Sequence, residues 1–343
     1  MFMRYFLFIF LALPALINNV AAGTIYVDGN RFESLAESIP SIKDGSVIYL
    51  ERGIYRKGAY ISKSNISILG ETGVVFDNAA VEGKAALVLT GKNVLVESIE
   101  CKNISVSHGN GACIRFEGEN LTVKNLYVHD SQSGIMTSYI KGFVKIEYSK
   151  FENLGNRGGY SHAMYINVDE LSIRYSQILS TKNQGSGIKS RSKKVIVDNS
   201  VLASLSSKDS RLIDMANYGE LIVKNSILQQ GEESSNSQLI SYGLEKRVER
   251  KLSVNRVVLK NNLVIFDRSR ANVLLQSRLV DEVVVAGNIF VGDFNDPDKY
   301  EENNLWYLSR EDAGVEKLPY LPPIHERQLV MDRIRIIGEA QND

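Results

Sequence analysis

Three segments of the sequence, SHAMYINV, GSGIKSR and RLIDMAN, carry polar side chains at equivalent positions. In each segment an apolar residue precedes the polar one, and the polar residues are Tyr165, Lys189 and Asp214. If each segment is a β-strand, its side chains alternate between two faces, so these three point outward. Parallel stacking of the strands, about 4.8 Å apart, would place a tyrosine, a lysine and an aspartate side by side on one surface.

Such a surface could bind an anion and transfer protons. Arg191 could pair with a carboxylate through two hydrogen bonds. Lys189 or His162 could accept a proton, and Tyr165 or His162 could donate one. Asp214 could orient Lys189 or hold a hydroxyl group of a ligand. The predicted catalytic residues are His162, Tyr165, Lys189 and Arg191, and the predicted ligand-binding residues are Arg115, Arg157, Asn167, Asp214 and Tyr242.

Each candidate also has a purely structural interpretation. Lys189 and Asp214, one repeat apart, could form a surface salt bridge worth less than about 1 kcal/mol. Tyr165 and Asn167 could simply cover a sheet face. The functional hypothesis therefore depends on the candidates being assembled as one set.

A repeat of about 25 residues has to position these side chains. Its most regular part is an octet such as LTVKNLYV, which starts at Val94, Leu121, Val144, Leu171, Val195, Leu221, Val257 and Val283. A second strand follows in each repeat, and it contains the candidate residues. This period, with strands and no helices, is typical of one turn of a parallel β-helix. One octet position is expected to stack along the helix through asparagine hydrogen bonds and tyrosine rings: Asn125, Tyr148, Tyr175, Asn199, Asn225 and Asn261.

The ends of the chain differ from the repeat. Residues 1–22 are predicted to be a signal peptide, because the short apolar run Tyr5 to Ile17 contains Pro14 and small residues precede Gly23. Residues 23–291 are predicted to form the β-helix domain, capped at its N-terminus by a helix over Phe32 to Ile39. Residues 292–343 are predicted to be an irregular capping tail, whose order after Val330 the sequence leaves open.

Composition excludes some classes of partner. The 343 residues include 40 basic and 40 acidic side chains, so no overall field favours nucleic acid or a membrane surface. No stretch after the signal peptide could cross a bilayer, and we expect a monomer exported to the periplasm or the medium. Cys101 and Cys113 could form a disulfide or remain buried thiols, and both alternatives stay open.

The repeat and the three segments resemble the bacterial right-handed parallel β-helix proteins of the pectate-lyase-like superfamily. The resemblance covers roughly residues 23–291, and it extends more distantly to alginate C5-epimerases, which place a histidine and an arginine on adjacent turns. It implies an all-β fold, a single-stranded right-handed parallel β-helix. Because this superfamily includes lyases, epimerases, hydrolases and non-catalytic binders, the fold leaves the function open.

Lyases and epimerases of uronate sugars both remove the proton next to the carboxylate, which requires a cation, a base and an acid. The candidate set and the resemblance favour an exported lyase that cleaves an acidic bacterial polysaccharide by β-elimination. A uronan C5-epimerase and a non-catalytic polysaccharide-binding β-helix are the alternatives.

Two further classes are less favoured. A glycoside hydrolase needs paired carboxylates, and the sequence contains no Asp-Asp pair. A calcium-dependent enzyme would cluster acidic residues, whereas Glu117 and Asp214 lie three or more turns apart in the predicted outward columns. We therefore expect no metal and no other cofactor.

Overall fold

The computed structural model describes residues 23–245, 252–300 and 303–315. Over this part of the chain the predicted parallel β-helix is confirmed. Each full turn contributes one strand to each of three sheets, here named the first, second and third sheet in the order in which a turn visits them.

The first sheet begins with a short antiparallel N-terminal hairpin and continues with parallel strands. In stacking order its strands are Asn30–Phe32, Ile25–Val27, Val47–Leu50, Ser67–Gly70, Lys92–Glu97, Glu119–Lys124, Phe143–Glu147, Glu170–Arg174, Lys194–Asp198, Glu220–Lys224, Arg256–Lys260 and Glu282–Ala286.

The second and third sheets are parallel throughout their described strands. The second sheet consists of Gly53–Tyr55, Val74–Asp77, Glu100–Lys102, Tyr127–His129, Lys150–Glu152, Gln177–Leu179, Val201–Ala203, Ile227–Gln230, Leu263–Phe266, Ile289–Val291 and Leu305–Tyr307. The third sheet consists of Ala59–Ile61, Ala85–Leu89, Ala112–Phe116, Ser133–Thr137, Met164–Ile166, Ile188–Ser190, Ile213–Met215, Gln238–Tyr242 and Val273–Ser277.

Each octet of the repeat forms two strands rather than one, because the chain turns sharply in its middle. The turning residue has a left-handed conformation, with φ of 49° at Asn125 and 55° at Tyr148. Asparagine tolerates this conformation better than most residues, which explains its recurrence at this position. The rings of Tyr148 and Tyr175 stack as predicted, with centroids 5.3 Å apart.

The main ladder of hydrogen bonds is formed by the residues that follow the predicted stacking position, and it lies in the interior of the β-helix. The backbone N–H of Ser149 donates to Oγ of Ser176 at 3.1 Å, and the N–H of Ser176 donates to Oγ of Ser200 at 3.2 Å. The ladder continues through Ser226, Asn262, Asn288 and Asn304. It pairs backbone N–H groups that the sharp turn would otherwise leave buried and unsatisfied.

Apolar side chains fill the interior, and both ends are covered. The cap helix is shorter than predicted, Leu35–Ser38, with Ser34 as its N-cap, and Phe32 belongs to a strand instead. At the other end the rings of Phe290 and Trp306 stack with centroids 4.4 Å apart. The start of the tail is therefore ordered, with a 3₁₀ turn at Pro297–Tyr300 and the strand Leu305–Tyr307.

Cys101 and Cys113 form a disulfide with a Cα–Cα distance of 5.6 Å. Both residues are fully buried, and the bond joins the second and third sheets within one turn. In the described residues no helix is long and apolar enough to span a bilayer. The predicted signal peptide (residues 1–22) and the tail from residue 316 onward lie outside the described residues, so those predictions stand as made.

Candidate functional site

The register of the third sheet aligns the predicted residues. Tyr165 is the direct cross-strand partner of Lys189, and Lys189 is that of Asp214. Asp214 pairs in turn with Ser241. The inward neighbours of the first three, Met164, Ile188 and Ile213, are fully buried, as alternation predicts.

Lys189 lies between two carboxylates. Its Nζ atom is 3.3 Å from Oδ2 of Asp214 and 2.5 Å from Oε1 of Glu245. Ser241 donates a hydrogen bond of 2.7 Å to Oδ1 of Asp214, which fixes the orientation of that carboxylate. The side chain of Asp214 is only 8% exposed and that of Lys189 is 15% exposed, so this pair forms the floor of the site.

Arg191 makes a hydrogen bond with each of three partners. Nε donates to Oη of Tyr165 at 2.6 Å, Nη1 donates to Oδ1 of Asn217 at 3.0 Å, and Nη2 binds Oε2 of Glu245. Burial acts to lower the pKa of the guanidinium, but the hydrogen bonds to Tyr165 and Glu245 outweigh it and the pKa is raised. The guanidinium is therefore held as a cation in a fixed orientation.

Glu245 is a site residue that the sequence analysis missed. Its two carboxylate oxygens are divided between the two cations, Oε1 binding Lys189 and Oε2 binding Arg191. Burial opposes ionisation of Glu245, but the hydrogen bonds and charges of the two cations outweigh it and lower the pKa of its carboxyl group. Lys189 and Arg191 thus form a site that holds one carboxylate across two oxygens.

His162 is buried beside this network, with its ring centroid 6.0 Å from that of Tyr165. The backbone N–H of Ser186 donates to Nδ1 of His162 at 3.0 Å. Burial, followed by the positive charge of Lys189, lowers the pKa of His162 to about 4. The imidazole is therefore neutral near pH 7 with its proton on Nε2, which suits it to donate a hydrogen bond and disfavours the predicted role as base.

Of the other predicted ligand-binding residues, Arg115 lies apart from this cluster, whereas Asn167 follows Ile166, the cross-strand partner of Ser190, and so lies beside Arg191. Arg115 donates from Nε to Oε1 of Glu117 at 2.9 Å and is separated from Lys189 by two intervening strands, a distance of about 14 Å. Asn167 is half-buried, and its backbone N–H donates to Oγ1 of Thr137 at 2.8 Å. Among the described residues its side-chain amide has no hydrogen-bond partner. The side chain of Arg157 lies outside the part of the chain that the structure describes.

The prediction that Tyr242 contacts a ligand is wrong. Its side chain is fully buried, its hydroxyl donates to the carbonyl of Gly219 at 2.5 Å, and its ring packs edge-on against Tyr218. Burial raises its pKa to about 12. Because Ser241 points outward, alternation turns the next residue inward.

Two exposed tyrosines, also missed from the sequence, flank the site. Tyr160 is 82% exposed in the loop just before His162. Tyr139 is 67% exposed just after the strand Ser133–Thr137, next to Ile140, whose N–H binds the carbonyl of Asn167. Exposed aromatic rings at the two edges of a polar surface are suited to stacking on sugars.

In the described residues, no group of three or more His, Cys, Asp or Glu side chains is placed to hold a metal ion. The carboxylates of Asp214 and Glu245 are instead occupied by Lys189 and Arg191. Independence from calcium and from other cofactors remains a prediction.

Comparison with known proteins gives distant structural similarity only. No protein-family model and no curated protein sequence matches the chain. A mutant of the PL6-family alginate lyase AlyGC matches at 12% identity and a TM-score of 0.44, over 79% of this chain and 52% of that chain. ORF18 of Geobacillus virus E2 matches at 11% identity and a TM-score of 0.43, over 73% of this chain and 54% of that chain. This chain therefore spans about half the length of those two proteins. A pectin methylesterase from Yersinia enterocolitica matches at 12% identity and a TM-score of 0.40, over 84% of this chain and 98% of that chain.

Proposed function

We propose that the outward face of the third sheet binds an acidic polysaccharide and cleaves it by β-elimination. The observation that carries this proposal is the convergence of Lys189 and Arg191 on the carboxylate of Glu245. A pair of cations that binds one carboxylate in this way can bind the carboxylate of a uronate sugar. Export, as predicted from residues 1–22, would bring the site to such a polymer.

Arg191 is proposed to neutralise the substrate carboxylate. Removal of the adjacent proton converts this group into an enolate, and a cation already in position stabilises the charge that develops. Tyr165 and Asn217 orient the guanidinium on two sides, so little reorganisation is needed when substrate binds.

Lys189 is the proposed proton acceptor, and Tyr165 the proposed proton donor. Arg191 keeps the bound carboxylate while Lys189 loses one ammonium proton to solvent, and the C–H bond next to the carboxylate then breaks as its proton passes to the neutral amine of Lys189. The adjacent C–O bond breaks as the departing oxygen takes the proton of Tyr165, and a C=C bond forms. Because Oη of Tyr165 accepts a hydrogen bond from Arg191, its own proton is directed elsewhere and is available to the substrate. His162 would steady a sugar oxygen through Nε2–H.

The relative position of the two proton-transferring groups favours elimination over C5-epimerisation. Tyr165 and Lys189 project from adjacent strands of one sheet, about 4.8 Å apart. Side by side, they can serve a hydrogen and an oxygen on neighbouring carbons of one sugar face. Epimerisation removes a proton from one face and returns it to the other, which requires groups on opposite sides of the ring.

The test is a panel of uronate polymers assayed for ultraviolet-absorbing unsaturated products. The proposal expects such products from at least one polymer, and it expects Lys189→Met to abolish them while Arg191 still supports weaker but measurable binding. A non-catalytic binder would give no unsaturated product and a graded loss of affinity across the site. Hydrogen exchange at the same carbon without cleavage would indicate an epimerase.

A further inference from the structure

The position of Glu245 has a consequence for substrate binding, because it fills the place that the proposed function gives to a sugar carboxylate. Oε1 binds Lys189, Oε2 binds Arg191, and both contacts are charge-assisted hydrogen bonds. A substrate carboxylate and the carboxylate of Glu245 cannot occupy this place together, since like charges at such short range repel each other strongly.

We infer that Glu245 is an internal competitor that an acidic sugar must displace from Lys189 and Arg191. This inference rests on the proposed function and adds to it a residue that sets the affinity of that site for acidic sugars. Its chemistry is that of one carboxylate exchanging for another on the same two cations.

The surroundings of the three groups indicate which of them moves. The Glu245 side chain is 39% exposed, against 15% for Lys189 and 27% for Arg191. Lys189 is also held by Asp214, and Arg191 by Tyr165 and Asn217. Among the residues that the structure describes, the side-chain hydrogen bonds of Glu245 are those to the two cations, so its carboxylate can turn into solvent while the cations stay in place.

Whether a sugar displaces Glu245 depends on the group that the sugar places on the two cations instead. An acidic sugar supplies a new carboxylate, so both cations regain a charged partner. A neutral sugar offers only hydroxyl groups, and displacement would exchange charge-assisted hydrogen bonds for weaker neutral ones. A neutral sugar therefore leaves Glu245 in place, and removal of Glu245 should improve the binding of acidic sugars only.

The experiment measures binding of monomeric glucuronate and glucose by calorimetry to the wild-type protein and to the Glu245→Gln variant. If Glu245 occupies the cations about nine-tenths of the time, its removal raises the affinity for glucuronate about tenfold. Affinity for glucose should rise much less. Glu119→Gln is a matched control, because Glu119 is 38% exposed and binds Lys92 at 3.0 Å on the first sheet.

A tenfold gain for glucuronate in Glu245→Gln, absent from Glu119→Gln, supports the inference. An unchanged or weaker affinity in Glu245→Gln overturns it, and so does an equal gain for glucose. The result is independent of turnover: a gain in affinity with no unsaturated product from any uronan would support the competitor and contradict the proposed lyase. Loss of folding cannot imitate the expected result, because damaged protein does not bind more tightly.

Discussion

Nε of Arg191 donates a 2.6 Å hydrogen bond to the hydroxyl oxygen of Tyr165, which lies 26 residues earlier in the chain and one strand away in the stack. This contact joins the anion-binding part of the site to the proposed proton donor. A change at either residue should therefore affect catalysis more than it affects the fold.

Replacing Tyr165 with phenylalanine should remove the proton donor and keep the ring. Loss of a general acid typically costs about 100-fold or more in rate, and the apparent affinity should change little. Initial rates of unsaturated product formation measure the effect. Tyr60→Phe is a suitable control, because Tyr60 is half-exposed on an early strand of the same sheet. A variant that retains more than about a tenth of the activity would exclude this role for Tyr165.

Replacing Tyr242 with phenylalanine should affect stability only. The change removes the hydroxyl that donates to the carbonyl of Gly219 and accepts from its N–H at 3.0 Å. Leaving these buried groups unpaired should lower the free energy of unfolding by about 1–3 kcal/mol. Urea unfolding gives this value directly, while turnover at a temperature well below the transition should match wild type. Weaker polymer binding at unchanged stability would restore the original prediction of ligand contact.

The internal ladder should be sensitive to single changes. Oγ of Ser200 accepts from the N–H of Ser176 at 3.2 Å and donates to the carbonyl of Asp198 at 2.8 Å. Ser200→Ala should therefore lower the free energy of unfolding by about 1–3 kcal/mol, whereas a serine-to-alanine change at exposed Ser235 should have almost no effect. Equal effects of the two substitutions would argue that the ladder contributes little.

His162 should make the protein less stable in acid. Its folded-state pKa of about 4 lies below the usual 6.5, so the unfolded chain binds the proton more readily. The contribution of the neutral imidazole to the free energy of unfolding is fully present above pH 6.5. It is lost as the pH falls toward 4, by at most about 3 kcal/mol. Unfolding measured across this range should show a smaller decline in His162→Gln.

Asp209 makes its own contribution to the pH dependence of stability, which must be distinguished from that of His162. Burial raises the pKa of its carboxyl group to about 6, against the hydrogen bonds from Ser234 and Ser204. Its contribution to stability is thus present at low pH and lost as the pH rises through 6, opposite in sign to that of His162. The comparison is therefore cleanest in an Asp209→Asn background. An unchanged pH dependence on replacing His162 there would show that the imidazole is not buried as described.

The two exposed tyrosines should bind the polymer outside the reacting sugar. Tyr139→Ala and Tyr160→Ala should each weaken polymer binding by up to about tenfold, the loss of one stacking contact. Single-turnover rates at saturating polymer should change little. The effect should grow with the length of the oligosaccharide, and equal losses for a monosaccharide and a long oligosaccharide would contradict the assignment.

Alternation and the repeat together predict the alignment of Tyr165, Lys189 and Asp214. Alternation gives the face of each side chain, and the repeat gives its neighbour in the stack. The same rule would have turned Tyr242 inward, since Ser241 points outward. Glu245 and Asn217 could not be found in this way, because they follow the ends of the strands Gln238–Tyr242 and Ile213–Met215, where alternation no longer applies.

The sequence pattern also could not predict that each octet is divided into two strands. It depends on a left-handed residue such as Asn125 in the middle of the octet, and the flanking residues are equally apolar on both sides. A run of alternating apolar residues is compatible with one long strand or with two short ones at an angle. The buried ladder through Ser176 and Ser200 follows from that turn and could be recognised only once the turn was known.

The most direct test of the account is mass spectrometry of the products formed from uronate polymers by wild-type protein and by Lys189→Met. Elimination predicts fragments in which one new end carries a C=C bond and no water has been added, formed by the wild type and not by the variant. Fragments that have gained one water per cleavage would identify a hydrolase and contradict the account. It would equally be contradicted by a polymer that binds the site tightly and is recovered intact and without hydrogen exchange.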